Sequence, residues 1–247
     1  MDVKKQLAVQ SYCFRNIKDN NKVADLVKEV GLDAIEVCGV HANFNDEATF
    51  DEVIGIYKAK KVRIVSIGAE GFGDDAAAAK KRFEFAKKAG CKMISCDFKV
   101  DKVPQAYRIV EKLAAEYGIN LGIHNHGGRH WLGCAAMLAQ VFAETKPCIG
   151  LCIDTAWALH SHENPVEMAG KFIDRLHGLH LKDFTFDRAG KHQDVVVGTG
   201  NLDLPAMFKL LKEKDFKGPM IIEYEGDVQN PGPSVKACVE AIMKVKV

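Results

Sequence analysis

Eight short apolar runs alternate with eight stretches of helical periodicity along the 247 residues, and this alternation limits the fold more than any other feature. The expected strands are Leu7–Cys13, Ala34–Val37, Val62–Ile67, Cys91–Phe98, Ile119–His124, Ile149–Ile153, Leu176–Leu181 and Met220–Glu223. Between and after them, apolar residues at helical spacing predict helices over 22–30, 48–60, 74–89, 103–117, 134–144, 165–172, 204–214 and 235–245. Gly31, Gly90 and Gly118 stand where three of these helices should close. Strands that alternate with helices must run parallel, joined by crossovers, and eight such units fit the roughly 250 residues of a (β/α)8 TIM barrel. An open doubly wound sheet is the competing α/β architecture, but no strand is followed by a GxGxxG or a P-loop. No repeat, low-complexity tract or linker divides the chain, so residues 1–247 are expected to form one barrel domain.

Charge and cysteine usage narrow the class of partner. The formal net charge is +1, and there is neither a polybasic run nor a basic amphipathic helix. Nothing therefore points to nucleic acid or a membrane surface, and a small-molecule substrate is expected, with a homo-oligomer allowed. The eight cysteines are scattered singly, without CxxC pairs, and read as buried small hydrophobes in a reducing compartment. The opening MDVKKQLAVQ lacks an apolar segment with a cleavage site, and no stretch reaches membrane-spanning length, so a cytoplasmic location is expected.

The chemistry gathers at the strand ends. In INLGIHNHGGRHW (119–131), an apolar strand runs into three histidines and a glycine pair. In a barrel the carboxyl ends of all strands share one face, which would bring Glu36, Asp97, His124, Asp154, His180 and Glu223 together. Consecutive strands ending in His or carboxylate are what a mixed nitrogen and oxygen metal site needs. Each residue also has a structural alternative. Glu36 and Asp97 would cap turns, Asp154 would cap a helix, Glu223 would pair with Lys182, and the histidines would be satisfied by backbone carbonyls.

These segments resemble the xylose-isomerase-like superfamily of sugar isomerases and epimerases, also called sugar phosphate isomerase/epimerases. The resemblance covers nearly the whole chain through VQSYCFR (9–15), IEVCGVH (35–41), LGIHNHG (121–127), GLCIDTAW (150–157), LHGLHLKDF (176–184), GTGNLDLPAMFKLLKEKDFKG (198–218) and MIIEYEGD (220–227). It implies a divalent-metal barrel whose ion is held by Glu, Asp, His and Glu from strands five to eight. Here the last three fall on Asp154, His180 and Glu223, and the first falls on His124, a departure from the usual glutamate. Trp157 is a second departure, standing where many relatives carry His. One divalent ion on His124, Asp154, His180 and Glu223 is therefore expected, with Mn2+ or Zn2+ suited to two imidazoles and two carboxylates and Co2+ or Mg2+ as alternatives.

The change at His124 has a chemical consequence. Three carboxylates around a dication leave a net charge of −1, whereas two carboxylates with two neutral imidazoles leave it near zero, which makes the ion a stronger Lewis acid. The epimerisation route that the resemblance implies uses glutamates on both faces of the substrate, and one is missing here. Glu223 is expected to act as base, with His124, His126 or Glu70 available on the opposite face. Glu36, Lys182, Trp157, Tyr12 and Phe14 are the candidate substrate contacts, and a Lys182 salt bridge to Glu36 or Glu225 is an equal alternative. The glycines of Gly198-Thr199-Gly200 read as loop-shaping only. The first functional reading is a metal-dependent sugar isomerase or epimerase acting through an enediolate. The alternatives are a metal-dependent lyase or dehydratase on a keto-sugar, keto-inositol or 3-keto-glycoside, and a noncatalytic sugar-binding barrel.

Overall fold

The computed structural model describes residues 1–246. Its strands are β1 (Leu7–Gln10), β2 (Ala34–Val37), β3 (Arg63–Ile67), β4 (Glu70–Phe72), β5 (Met93–Phe98), β6 (Asn120–His124), β7 (Ile149–Asp154), β8 (Leu176–Leu181), β9 (Asp183–Phe186), β10 (His192–Val195) and β11 (Met220–Ile222). Nine of them form one parallel sheet in the order β3-β2-β1-β11-β8-β7-β6-β5-β4. The two end strands, β3 and β4, are successive pieces of the same chain segment, β3 pairing with β2 and β4 with β5. The sheet thus curls into a barrel of eight strand positions, the third one split. Gly68 makes the split possible: its φ is +148°, and a Cβ there would lie 2.4 Å from the Ser95 carbonyl oxygen on β5.

The helices are α1 (Val3–Gln6), α2 (Asn20–Glu29), α3 (Phe50–Ala59), α4 (Ala76–Ala89), α5 (Gln105–Tyr117), α6 (Ala135–Glu144), α7 (Thr155–His160), α8 (Pro165–Lys171), α9 (Leu204–Glu213) and α10 (Gly232–Met243). Their apolar sides face the sheet. In α5, Tyr107, Val110 and Leu113 are buried at helical spacing, each large side chain contributing roughly 1.5–3 kcal/mol. Gly90 and Gly118 close α4 and α5 in left-handed conformation, and Gly31 follows α2 at φ +92°, as expected from sequence. No helix among the described residues is long and apolar enough to cross a membrane.

Besides the split third strand, three features depart from the sequence reading. The first strand stops at Gln10, not Cys13, because the Gln10 side chain accepts from Tyr12 N–H (3.1 Å) and turns 11–14 into a 3-10 helix. α7 starts directly after β7, capped by the Asp154 carboxylate. A β9–β10 hairpin, antiparallel and outside the barrel sheet, follows β8.

The barrel interior is built in two tiers, because residues two apart on a strand share a face. Ala8, Ala34, Met93, Cys152 and Ile221 form a small buried cluster of their own. Gly122 and Gly178 belong to the same tier: a Cβ on either would come within 3.0 Å of the Met93 side chain. Those glycines leave room for Met93 beneath the strand ends. Two residues after Ala8, Ala34, Gly122, Cys152, Gly178 and Ile221 lie Gln10, Glu36, His124, Asp154, His180 and Glu223, all buried. A floor of small and apolar groups thus carries a polar tier at the mouth.

Candidate metal centre

His124 ends β6 and Asp154 ends β7, while His180 lies one residue from the end of β8 and Glu223 one residue beyond β11. Parallel pairing aligns them, with Asp154 opposite His180 and the Glu223 N–H donating to the Leu181 carbonyl. Each of the four offers a ligand atom within 4.8 Å of the others. His124 Nε2 lies 3.4 Å from Asp154 Oδ2 and 3.5 Å from Glu223 Oε2, and His180 Nδ1 lies 2.7 Å from Glu223 Oε2. Ligand atoms about 2.1 Å from one ion in a tetrahedron are about 3.4 Å apart, so the two His124 spacings suit a shared cation better than a hydrogen bond.

The donor set fits a cation on a second count. Both ring nitrogens of His124 and Asp154 Oδ2 are buried without a hydrogen-bond partner, an arrangement that costs about 1–3 kcal/mol for each group unless something else satisfies it. The electrostatics agree. Burial works against charge on Glu223, but Lys182, His180 and His124 hold its carboxyl well below the usual range. Burial likewise opposes protonation of His180 and His124; Glu36, Cys152 and Glu223 outweigh it at His180, and Asp154 and Glu223 at His124, so both are raised. A cluster whose carboxylates favour a positive partner among them is one in which a metal ion can take the place of protons.

Neighbouring residues fix these four. Asn125 ties two strand ends together, its Nδ2 donating to the Asp154 carbonyl (3.1 Å) and its Oδ1 accepting from Asp154 N–H (2.9 Å). Asp154 divides its oxygens: Oδ1 accepts from Trp157 N–H (2.8 Å) as the α7 cap, and Oδ2 faces His124. The capping alternative and the ligand role are thus both available to it. Thr155 Oγ1 donates to the Lys182 carbonyl (2.5 Å) and accepts from Lys182 N–H (3.0 Å).

Three of the expected substrate contacts are placed elsewhere. Phe14 is 1% exposed and packs in the hydrophobic core, because the 3-10 turn after β1 points it inward. Glu36 is fully buried beneath the mouth, its Oε1 2.9 Å from His180 Nε2 and accepting from Gln10 Nε2 at 2.5 Å. It faces His180 and does not border the pocket. Lys182 is 1% exposed and ion-paired with Glu225, the pairing that sequence left open. Its ammonium group is a buried charge that interacts with Glu223 and Asp154.

The other two line the opening. Tyr12 and Trp157 border a pocket of about 500 Å3 together with Glu70, His126 and Glu225, and His124, His180 and Glu223 reach it from below. Glu70 pairs with Arg82 (2.7 Å). His126 has its ring centroid 4.6 Å from that of His124 and its Nδ1 buried without a partner. Burial, then His124 and His130, push its pKa down to about 4, so it is a neutral imidazole at pH 7. Asp183 points away from the mouth, as alternation requires, and its carboxylate accepts from Gly198, Gly200 and Leu202 N–H groups, so the glycine loop is anchored structurally.

Gln10, Asn125 and Thr155 were missed as site-building residues. Gln10 carried a readable signal, lying two residues after Ala8 at the end of an apolar strand. Asn125 and Thr155 carried none, since their partners are backbone groups of other strands.

Over residues 24–244 the chain matches the family described as xylose isomerase-like TIM barrel. Among curated proteins it is similar to an inosose dehydratase of Clostridium botulinum (28% identical over 136 residues, 49% of this chain and 46% of that protein). It is also similar to one of Erwinia tasmaniensis (29% over 146 residues, 52% and 49%). The chain spans about half the length of the curated relatives it matches. Among solved structures it resembles the probable 3-DHS dehydratase AsbF of Bacillus anthracis (TM-score 0.77, 15% identity, 98% of this chain and 100% of that one). It also resembles the 3-keto-D-glucoside 4-epimerase YcjR of E. coli (TM-score 0.74, 16% identity, 96% and 98%), and at these identities the likeness concerns the fold.

Proposed function

The chain belongs to the xylose isomerase-like TIM barrel family, and from that we propose that it is a metal-dependent lyase or dehydratase acting on a keto-sugar or keto-cyclitol, with Glu223 as its base. The observation that carries this reading is the asymmetry of the donor set: Glu223 is the carboxylate bordering the pocket within the four-residue group, and an imidazole, His124, occupies the β6 position opposite. When bound there, a divalent ion, Mn2+ or Zn2+ for this donor set, would polarise the substrate carbonyl and stabilise the charge that develops on its oxygen.

The chain's own residues account for the rest. Glu223, held ionised by Lys182, His180 and His124, takes the proton from the carbon beside the carbonyl, and the C–H electron pair moves onto the carbonyl oxygen as an enediolate. When that pair returns, the bond to a β-oxygen breaks. The proton on Glu223 leaves with that oxygen as water or an alcohol, and an enone remains. No electrons are gained or lost. Tyr12 and Trp157 offer apolar walls for a sugar ring at the pocket rim. The inosose dehydratase relatives favour the same reaction class.

A second reading, epimerisation, is favoured by His126, a neutral imidazole at the pocket that could take a proton from the substrate on the face opposite Glu223. Incubation of the metal-loaded protein with 3-keto-glucosides and inososes in deuterated water separates the two. Elimination predicts an enone, with deuterium in recovered substrate of unchanged configuration. Clean interconversion of two epimers, abolished by His126→Ala, would establish epimerisation instead. Under either reading Glu223→Gln should lower turnover by about 10²–10⁴ and metal affinity by much less. Turnover preserved in that variant would remove Glu223 as the base.

A further inference from the structure

Outside the four-residue group, Asp97, His126 and His130 bring one ligand atom each within 4.8 Å of the others. Asp97 lies at the end of β5, while the two histidines lie in the segment that follows β6. His130 Nε2 is 3.1 Å from Asp97 Oδ2, and the rings of His126 and His130 are 5.1 Å apart between centroids. The three border a pocket of about 620 Å3 open to solvent, with Trp157 and Arg129 on its rim. Arg129 forms no ion pair with Asp97 among the described residues. Asp97 Oδ1 accepts from Phe98 N–H (2.6 Å), leaving Oδ2 toward the histidines, and Leu132 N–H donates to His130 Nδ1 (3.3 Å), a contact that must give way when Nε2 releases its proton to an ion.

We propose that Asp97, His126 and His130 form a second divalent-cation site beside the first. Two imidazoles and one carboxylate are a borderline donor set suited to Zn2+, Co2+ or Mn2+, and three protein ligands leave coordination positions for water or a substrate oxygen. The buried, unpartnered Nδ1 of His126 marks this residue as short of a partner. A plain Asp97–His130 hydrogen bond explains the 3.1 Å contact as well, but it accounts for neither His126 nor the convergence of all three groups. The two groups adjoin, since the rings of His126 and His124 are 4.6 Å apart. Occupied, the site would take His126 out of service as a base and would bind an oxygen of the substrate at the β5–β6 side of the pocket. This site does not depend on what Glu223 does.

The test is a count of ions. Full-length protein stripped with a chelator is titrated calorimetrically with Zn2+, and the same samples are loaded with Co2+ and followed by visible absorption. Two ions per chain are expected, falling to one in His130→Ala and in Asp97→Asn with loss of part of the Co2+ spectrum. Asp154→Asn should also reduce the count to one, by removing the other ion. Circular dichroism and melting of the stripped variants check that they fold; Asp97→Asn preserves side-chain volume should His130→Ala not. One ion per chain that survives His130→Ala and Asp97→Asn, or a second ion indifferent to both, would overturn the proposal. A single ion lost in His130→Ala but kept in Asp154→Asn would sustain it and overturn the four-residue centre instead.

Discussion

Glu36→Gln keeps the size of the side chain while removing its charge and one of its two acceptor oxygens. Glu36 Oε1 lies 2.9 Å from His180 Nε2 and already accepts from Gln10 Nε2 at 2.5 Å, while His180 Nδ1 faces Glu223. A carboxylate facing Nε2 favours the tautomer with its proton there, which leaves the Nδ1 lone pair for an ion. In the Glu36→Gln variant a carbonyl oxygen kept at the Oε1 position still faces both Gln10 and His180, and the amide takes the unpartnered Oε2 position, so what is lost is the negative charge beside Nε2. Loss of such an outer contact costs about 10–100-fold in metal affinity, or about 1.4–2.8 kcal/mol at 1.4 kcal/mol for each tenfold step. Glu36 and His180 are both at most 1% exposed, so no water compensates for the lost charge, but the acceptor oxygen is retained and the lower end of that range is expected. The assay is a competition titration of ion-stripped protein with Mn2+ or Zn2+ against a chromophoric chelator, in a His130→Ala background so that this centre alone is read. Affinity within about twofold of the parent would refute the reasoning, as would a matching fall in the urea midpoint of the stripped protein, which would mark a general loss of fold.

Two further outcomes follow from groups the chain buries. Lys182→Met removes the partner of Glu225; breaking a buried pair costs about 3–5 kcal/mol, and because the Glu225 side chain is 28% exposed and keeps some water, about 2–4 kcal/mol is expected in urea unfolding. A loss below about 1 kcal/mol would show that the pair contributes no more than a surface bridge. His41 is 5% exposed and bonded to the Ile17 carbonyl at 2.8 Å, and burial depresses its pKa despite that bond. The unfolded chain then binds the proton more readily, so its contribution is fully present above the unfolded value of about 6.5 and is lost as pH falls through the depressed folded value. Urea midpoints from about pH 8 to pH 5 should fall less steeply in His41→Gln than in the parent, and parallel profiles would contradict this assignment.

Much of the fold was legible because the barrel writes itself in two periods. Alternation of strand and helix predicted the architecture, and the ends of the apolar runs named His124, Asp154, His180 and Glu223 as candidate ligands. These are local properties of the chain, so sequence alone determined them. Which end of each group faces what was decided only by the tertiary structure. Glu36, Lys182 and Phe14 stand at strand ends just as Tyr12 and Trp157 do, but a turn capped by Gln10, a partner at Glu225 and the depth of β2 withdrew the first three from the pocket. The splitting of the third strand at Gly68 was likewise invisible, because the constraint is the Ser95 backbone of another strand. The union of Asp97 with His126 and His130 required two adjacent strands to end at the same height, a matter of register that no single stretch of sequence encodes.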